Sequence, residues 1–332
     1  MRLLAVELRR YFSRWTIRAG LAVLAGVLLV VSGSFFVSSG PPSAEELSNA
    51  QIWFEQDHAD WEENGDEWEA DCRESEAADR ELMDDPDIAY DCDNMEPKLE
   101  NYLWSVQTQE LVETNVLGTG IMLAIPLVFA LAITYMAGEF SSGTMSTWLT
   151  FVPQRQRVYF SKLATGALTG FVIIGVTAIA LWGAARGIIA YWDIEIAGPD
   201  DYNWIVIGQT YEPILRFALI GVILGICGVA LATVVRHTAG AMGVAVGYLI
   251  IELTATGIHA PLAEFSLIKH VESVMMAGTN YYLERCESVQ GGTVCEYIEQ
   301  PIEFSTSLIT LIAVAVVVAI IGAWQFQRRD VN

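Results

Sequence analysis

Six apolar stretches, each long enough to cross a lipid bilayer as a helix, constrain the fold of this chain more than any other feature. A helix needs about 20 apolar residues to span roughly 30 Å of hydrocarbon. The stretches occupy residues 19–39, 116–137, 163–186, 214–235, 239–259 and 304–325. Hydrophobic residues make up 53% of the 332 residues and charged ones only 17%, which excludes a water-soluble globular protein. We predict an all-α polytopic membrane protein with six transmembrane helices.

Basic residues next to the predicted spans give the expected orientation, because cytoplasmic loops retain Lys and Arg. They all fall on one side of the bilayer if the six spans are real, at Arg2, Arg9, Arg10, Arg14, Arg18, Arg155, Arg157, Lys162, Arg236, Arg328 and Arg329. Both termini, including the tail 326–332, are therefore predicted to be cytoplasmic. The expected location is a cell membrane of the bacterial type.

Residues 1–18 predict an amphipathic helix on the inner membrane surface. Leu4, Leu8, Tyr11 and Trp15 recur on one helical face, and basic residues lie on the other. Such a helix is typical of the lipid headgroup plane, where it would lead into the first span. A removable signal peptide is the alternative, since basic residues precede an apolar core here as well.

An acidic insert separates the first two spans, at residues 40–115, and is predicted to be extracytoplasmic. It contains 24 acidic and three basic residues, so its net charge of −21 accounts for nearly all of the chain's −22. Ser43 followed by Glu46 indicates a helix start, and Trp53, Trp61 and Trp68 recur at near-heptad spacing. We predict a small helical hairpin that turns at residues 84–87. An acidic, solvated surface is favoured over a calcium site, because the ordered ligands of an EF-hand are missing.

Four of the five cysteines lie in predicted extracytoplasmic segments, where an oxidising compartment permits disulfides. We predict two pairs, Cys72 with Cys92 and Cys286 with Cys295. The four histidines are scattered, and none has a metal-ligand partner at the usual spacing. No set of residues indicates a catalytic site, a metal or a nucleic-acid partner, so we do not expect an enzyme.

Residues 138–153, between the second and third spans, combine an apolar helical face with polar flanks. A short cytoplasmic helix is predicted here, because Pro153 ends the pattern. In this region the chain resembles the membrane subunit of type 2 ABC exporters, the ABC-2 permeases. Their pattern of an acidic residue, Gly-Thr, an apolar helix, Pro, a basic residue and Lys is matched by Glu139, Gly143, Thr144, Trp148, Leu149, Pro153, Arg155 and Lys162.

The resemblance implies that the helix after the second span couples this chain to a separate ABC ATPase, which would hold ATP and Mg. The chain itself has no phosphate-binding loop and no expected cofactor. Coupling residues are expected to be Glu139, Phe140, Gly143, Thr144, Met145, Trp148, Pro153 and Arg155. Phe140, Met145 and Trp148 would be exposed anchors for the ATPase. Glu139 would either cap the helix or pair with a basic residue on the partner.

The family further implies two permease copies, or two related chains, around a central pathway through the lipid bilayer. Its expected lining includes Phe129, Tyr135, Tyr248 and Glu252, which favours a hydrophobic or amphiphilic cargo. Glu252 either lines the pathway or ties two helices together. The outer loop 260–303 resembles the re-entrant helices of the family, and helical character is expected from Pro261 to Leu283.

Glycines four residues apart predict close helix packing, at Gly166 and Gly170, Gly221 and Gly225, and Gly243 and Gly247. A different class of function stays open beside the permease. The chain would then be a membrane-anchored scaffold or receptor whose acidic insert binds a ligand or an extracytoplasmic protein. The coupling-type helix distinguishes the two, because an anchor has no need of an apolar cytoplasmic surface.

Overall fold

A computed structural model describes residues 2–83, 88–103, 108–151, 153–194, 211–289 and 292–328 of the chain. These residues form two compact units. The membrane unit comprises residues 1–35 and 109–332, and the insert unit comprises residues 36–108.

The membrane unit contains the six apolar helices that the sequence predicts, and the all-α polytopic fold class is confirmed. Its helices are α1 (Arg2–Ser13), α2 (Trp15–Ser38), α4 (Gln109–Ser141), α5 (Thr144–Phe151), α6 (Arg155–Trp192), α7 (Glu212–Val235), α8 (Thr238–Ile258), α9 (Leu267–Met276) and α10 (Phe304–Arg328). Helices α2, α4, α6, α7, α8 and α10 are the candidate membrane spans.

Two of the spans continue well beyond the apolar stretches from which they were predicted. Helix α4 has 33 residues and α6 has 38. At 1.5 Å per residue α6 is about 57 Å long, nearly twice the roughly 30 Å thickness of the hydrocarbon layer. Polar residues at the helix ends therefore belong to the same continuous helices as the spans.

The core of the membrane unit is a seam of glycines between α6 and α7. A Cβ added at Gly170 would lie 2.0 Å from the carbonyl oxygen of Gly221, and one at Gly225 would lie 2.0 Å from that of Gly166. The two backbones therefore touch, as the spacing of these glycines predicts. Gly243 in α8 faces open space instead, and so does Gly247.

The spans differ strongly in how much of their surface the chain itself covers. Half of the most apolar stretch is buried within the chain in each of α4, α6 and α7, but only 11% of it in α2 and in α8. Large apolar side chains such as Leu29 in α2 and Ile251 in α8 are exposed. Helices α2 and α8 therefore present apolar surfaces outward from the core.

The N-terminal helix packs differently from the predicted interfacial helix at residues 1–18. Helix α1 ends at Ser13, and α2 begins two residues later at Trp15. Tyr11 and Glu7 are each only 1% exposed, whereas Trp15 is 79% exposed. Helix α1 thus packs against the start of α6 with part of its predicted apolar face, and a carboxylate is buried with it.

The segment between α8 and α10 is only partly helical, so the prediction of helical structure as far as Leu283 is wrong for its last residues. A 3-10 helix at Ala260–Phe265 and α9 are followed by an antiparallel hairpin of β1 (Gly278–Val289) and β2 (Gly292–Glu303). Helix α9 is followed by Ala277, whose backbone adopts the left-handed conformation and so ends the helix. Thr, Tyr, Val and Ile then favour strands.

The register of this hairpin bears on the predicted second disulfide. Cys286 lies directly opposite Cys295 on the neighbouring strand. The bond between these two cysteines stays a prediction.

The insert unit is built on one helix, α3 (Ala44–Met83), of 40 residues. Its start is capped by the Ser43 hydroxyl, which accepts a hydrogen bond from the backbone N–H of Glu46 at 3.1 Å. The second helix of the hairpin, expected from Leu99 to Glu113, is wrong in its first part: within residues 88–103 the returning chain forms 3-10 turns at Cys92–Asn94 and Leu99–Tyr102, and α-helix is present again from Gln109. The acidic residues of the predicted turn, at positions 84–87, lie outside the described residues.

The returning chain packs on one face of α3 through aromatic and polar contacts. Tyr102 donates a hydrogen bond to Asp57 Oδ2 at 2.7 Å, and its ring lies 6.2 Å from that of Phe54. The rings of Trp61 and Trp68 are 6.0 Å apart. Trp53 is still 59% exposed, so the tryptophan stripe is only partly covered. In the described ranges, no three His, Cys, Asp or Glu side chains are grouped closely enough to hold a metal ion.

Cys72 and Cys92 are bonded in the structure and join α3 to the returning chain. Because the bond closes a loop of 20 residues, replacing Cys72 by serine should destabilise the insert by about 3 kcal/mol. Limited proteolysis of the full chain should then cut the insert faster than in a Cys227→Ala control. Finding Cys72 and Cys92 as free thiols by peptide mapping of the unreduced protein would contradict this prediction.

Candidate functional site

The predicted short helix after the second span exists as α5, and a glycine makes the turn that leads to it. Gly143 has a φ of +66°, a left-handed conformation that glycine adopts without strain. Its N–H donates to the carbonyl oxygen of Phe140 at 3.2 Å, just beyond the end of α4. Thr144 then begins α5, and the helix ends at Phe151, before Pro153.

The exposure of the predicted ATPase anchors differs from the expectation. Met145 is completely buried, whereas Phe140 and Trp148 are half-buried against other parts of the chain. The ring of Phe140 lies 6.3 Å from that of Phe326 at the end of α10. The exposed aromatic residue of α5 is Phe151, which is 77% exposed. Hydrophobicity marked α5 as amphipathic, but it did not reveal which residues would contact the chain itself.

Glu139, near the end of α4, is fully buried and is paired within the chain. Its Oε2 lies 2.6 Å from Lys162 Nζ, and its Oε1 accepts a hydrogen bond from Arg14. Arg10 Nη2 is 3.8 Å from the same Oε1. The structure therefore provides intrachain partners for Glu139 instead of leaving it for a basic residue of another protein.

Glu7 of α1 completes this group, although it was not among the predicted site residues. Lys162 Nζ donates to Glu7 Oε2 at 2.8 Å, and the Tyr135 hydroxyl donates to the same oxygen at 2.6 Å. The indole Nε1 of Trp148 donates to Glu7 Oε1 at 2.7 Å. We call this group the Glu7 cluster; its members are Glu7, Arg10, Arg14, Tyr135, Glu139, Trp148 and Lys162.

The sequence did contain a signal for Glu7. It lies three residues from Leu4 and four from Tyr11, on the apolar face of α1. A carboxylate on the apolar face of a helix needs a buried partner, because burying an unpaired charge is costly.

The charges and hydrogen bonds of the Glu7 cluster keep the carboxylate of Glu7 ionised. Burial raises the pKa of Glu7, but the charge of Lys162 and the hydrogen bonds from Lys162, Tyr135 and Trp148 outweigh it, so the pKa is lowered from the ordinary 4.5. A lowered pKa stabilises the folded chain above pH 4.5, and this contribution is lost as the pH falls through the lowered value. At neutral pH the side chain of Glu7 therefore carries its negative charge.

Tyr135 belongs to the Glu7 cluster and not to an open surface. It is fully buried, and its backbone carbonyl oxygen accepts a hydrogen bond from Arg14 Nη1 at 2.6 Å. Of the other predicted pathway residues, Phe129 is half-buried and Tyr248 is 42% exposed. Within this chain, the structure does not bring Tyr135 to the surface on which Tyr248 lies.

Glu252 contacts the N-terminus of α9. Its Oε1 accepts hydrogen bonds from the Ser266 hydroxyl at 2.5 Å and from the backbone N–H of Ile268 at 2.8 Å. Only 7% of Glu252 is exposed. A carboxylate is favourable at the positive end of a helix, so this contact supports the alternative in which Glu252 ties two helices together.

Arg155 and Arg236 connect the same region to neighbouring helices. Arg155 Nη1 donates to the carbonyl oxygen of Gln327 in α10 at 3.2 Å, and the Arg236 guanidinium lies 5.3 Å from the centre of the Phe140 ring. The ends of α4 and α10, the start of α6, and helices α1 and α5 thus meet at one end of the membrane unit. We call this the basic end.

Six apolar helices in one unit, with a short amphipathic helix fixed at the basic end, define a multi-pass membrane protein. Residues 7–331 match the model of the ABC-2 family transporter proteins, and the chain belongs to that family. It is therefore a permease component of an ABC transporter, a transport subunit that is not itself catalytic. No curated protein and no solved structure gives a match to the chain.

Proposed function

We propose that this chain is the permease subunit of an ABC exporter, coupled through α5 to the ATP hydrolysis of a separate nucleotide-binding subunit. The observation that carries the proposal is the attachment of α5. Trp148 fixes this helix to Glu7, and Glu7 in turn contacts Lys162 in α6 and Tyr135 in α4. A force applied to α5 would therefore reach two membrane spans through short, buried contacts.

The ATPase would supply the nucleotide chemistry, because the chain has no G-x-x-x-x-G-K-[ST] phosphate-binding loop. ATP and Mg would accordingly be bound by the partner. In this family a permease normally has an ATPase subunit as its partner.

The surface offered to the ATPase would be centred on Phe151. This ring is 77% exposed on a helix whose other large apolar residues are covered by the chain. Thr147, Thr150 and Pro153, which lie near it in the sequence, are exposed and carry no charge. An exposed aromatic anchor on an uncharged helix suits a pocket in a partner protein.

A second permease copy, or a related permease chain, would cover the outward apolar faces of α2 and α8. Both helices are little buried by the chain itself, and Gly243 and Gly247 leave room for close approach of another helix. The pathway would form between the two permeases, with Tyr248 near it, and its apolar character favours a hydrophobic or amphiphilic cargo.

The proposed orientation places the basic end in the cytoplasm and the acidic insert outside a bacterial-type cell membrane. It follows from the positions of Arg10, Arg14, Arg155 and Arg236, which all lie at the basic end. A thiol introduced at Ser142, which is exposed at the start of the α5 turn, should react with an impermeant reagent only after the membrane is opened. Labelling in intact cells would contradict this orientation.

Replacing Phe151 by serine tests the proposed function directly. We expect the variant to fold normally but to bind the ATPase subunit roughly 5- to 30-fold more weakly during affinity purification, because truncating an interface anchor costs roughly 1–2 kcal/mol. The bound ATPase would be quantified by mass spectrometry and by ATP hydrolysis.

Phe12→Ser is the matched control, because Phe12 is also exposed, at 41%, on the neighbouring helix α1. This variant should retain the ATPase at the level of the unchanged chain. The proposed function fails if the unchanged chain purifies without an ATPase. The assignment of Phe151 fails if both variants retain the ATPase equally well.

A further inference from the structure

Glu7 is the point at which the N-terminal helix is joined to three other helices. Its two carboxylate oxygens have different partners: Oε1 accepts from Trp148 in α5, and Oε2 accepts from Tyr135 in α4 and Lys162 in α6. Each of these three hydrogen bonds is between 2.6 and 2.8 Å long. The residue is only 1% exposed, so water hardly competes for these contacts.

A second residue of α1 contacts α5 at the same place. The guanidinium carbon of Arg10 lies 4.9 Å from the centre of the Trp148 ring, within the range of a cation–π interaction. Glu7 and Arg10, one helical turn apart, therefore contact the indole of Trp148 through its N–H and its ring face, respectively. This arrangement fixes both the position and the rotation of the Trp148 side chain.

The contacts of α1 do not match those of a helix that only anchors the chain to lipid. A lipid anchor would bury Leu4, Leu8 and Trp15 in the bilayer and leave its charged groups in water. In the structure, by contrast, the ionised side chain of Glu7 is enclosed by protein. A buried carboxylate of α1 is thus hydrogen-bonded to the helix proposed to receive the ATPase.

We propose that Glu7 is a positioning residue for coupling: it locks α5 to the N-terminal helix, so that α1 and α5 move as one body when the ATPase acts. This inference rests on the proposed function for the identity of the driving partner. The lock itself is a property of this chain and can be tested without that partner.

The experiment measures the distance between α1 and α5 with two spin labels. Exposed positions are available on each helix, at Arg9 and Ser146. Both would be replaced by cysteine in a chain carrying Cys227→Ala, and the distance distribution would be recorded by pulsed electron paramagnetic resonance. The measurement is made on the free permease and on its complex with the ATPase, with and without ATP.

In the chain with an unchanged Glu7 cluster, we expect one narrow peak in the α1–α5 distance distribution. We expect the position of this peak to stay the same when ATP binds. Glu7→Gln removes the charge that binds Lys162, and the single peak should be lost. Trp148→Phe keeps an aromatic ring for Arg10 but removes the indole N–H, and it should likewise broaden the peak. The control Arg157→Gln changes an exposed charge on α6 and should preserve the peak.

Two results would overturn the lock. One is a narrow peak that persists in both Glu7→Gln and Trp148→Phe. The other is a shift of the α1–α5 distance on ATP binding in the unchanged cluster, since the two helices would then move separately. If Glu7→Gln does not fold, Trp148→Phe alone decides between these outcomes. Failure to purify any ATPase would refute the proposed function, while the free permease would still test the lock.

Discussion

Replacing Lys162 by methionine should lower the free energy of unfolding by about 3–5 kcal/mol, which is the range for breaking a buried ion pair by removing one partner. The ammonium group of Lys162 is fully buried between the carboxylates of Glu7 and Glu139. Without it, two buried negative charges would face each other with fewer partners. The chain would have to protonate one carboxylate or rearrange α1.

The effect would be measured by thermal unfolding in a neutral detergent, followed by circular dichroism. Lys269→Met is the matched control, because the Lys269–Glu272 pair is also an ion pair but both side chains are about one-third exposed. That variant should change the stability by less than about 1 kcal/mol. Equal effects at Lys162 and Lys269 would show that the buried cluster contributes no more than a surface pair.

Replacing Gly170 by alanine should be among the most damaging small substitutions in the spans. The new Cβ would lie 2.0 Å from the backbone oxygen of Gly221, and a backbone atom cannot rotate away as a side chain can. Helices α6 and α7 would have to separate, at a cost near the upper end of the roughly 1–3 kcal/mol typical of overpacking. The same detergent unfolding assay would measure the loss.

Gly183 lies on the same helix and provides the control. No atom lies within 4 Å of a Cβ added there, so alanine fits without displacement. Because alanine favours a helix more than glycine does, Gly183→Ala should leave the stability unchanged or raise it by up to about 1 kcal/mol. If Gly170→Ala were tolerated as well as Gly183→Ala, the glycine seam would not determine how these spans pack.

The number and order of the spans could be predicted from sequence because the cost of exposing a backbone to lipid leaves few alternatives. The same physics says little about where a span ends. Helix α6 begins at Arg155 and continues to Trp192. Its polar ends lie beyond the apolar stretch, where hydropathy no longer marks the helix although the helix continues. The glycine pairs at 166–170 and 221–225 also followed from the sequence, since only the smallest residue permits backbone contact.

The candidate site was predicted only in part. The proline, the glycine and the apolar residues between them indicated α5, but burial depended on which surfaces its neighbours offered. Met145 became buried, and Phe151 stayed exposed. Glu139 and Lys162 belonged to the recognised pattern, but their link to Glu7 joins positions 155 residues apart in the chain. Such a contact cannot be derived from local periodicity.

The β-hairpin was missed for a local reason. The segment from Pro261 onward was predicted from its likeness to helical loops of the family, whereas the Thr, Tyr, Val and Ile residues after Ala277 favour strands. Those residues pair in register from Gly278 with Glu303 to Val289 with Gly292. The prediction for the acidic insert was wrong in a similar way. Helix α3 is a long helix, but Asp91 adopts a left-handed conformation, and the chain that returns along α3 is irregular.

The order of Glu7 and Lys162 along the chain affects biosynthesis. Glu7 leaves the ribosome first, but Lys162, which neutralises it, is made 155 residues later. Until the third span has been inserted, the N-terminal segment therefore has to wait in water or at the membrane surface.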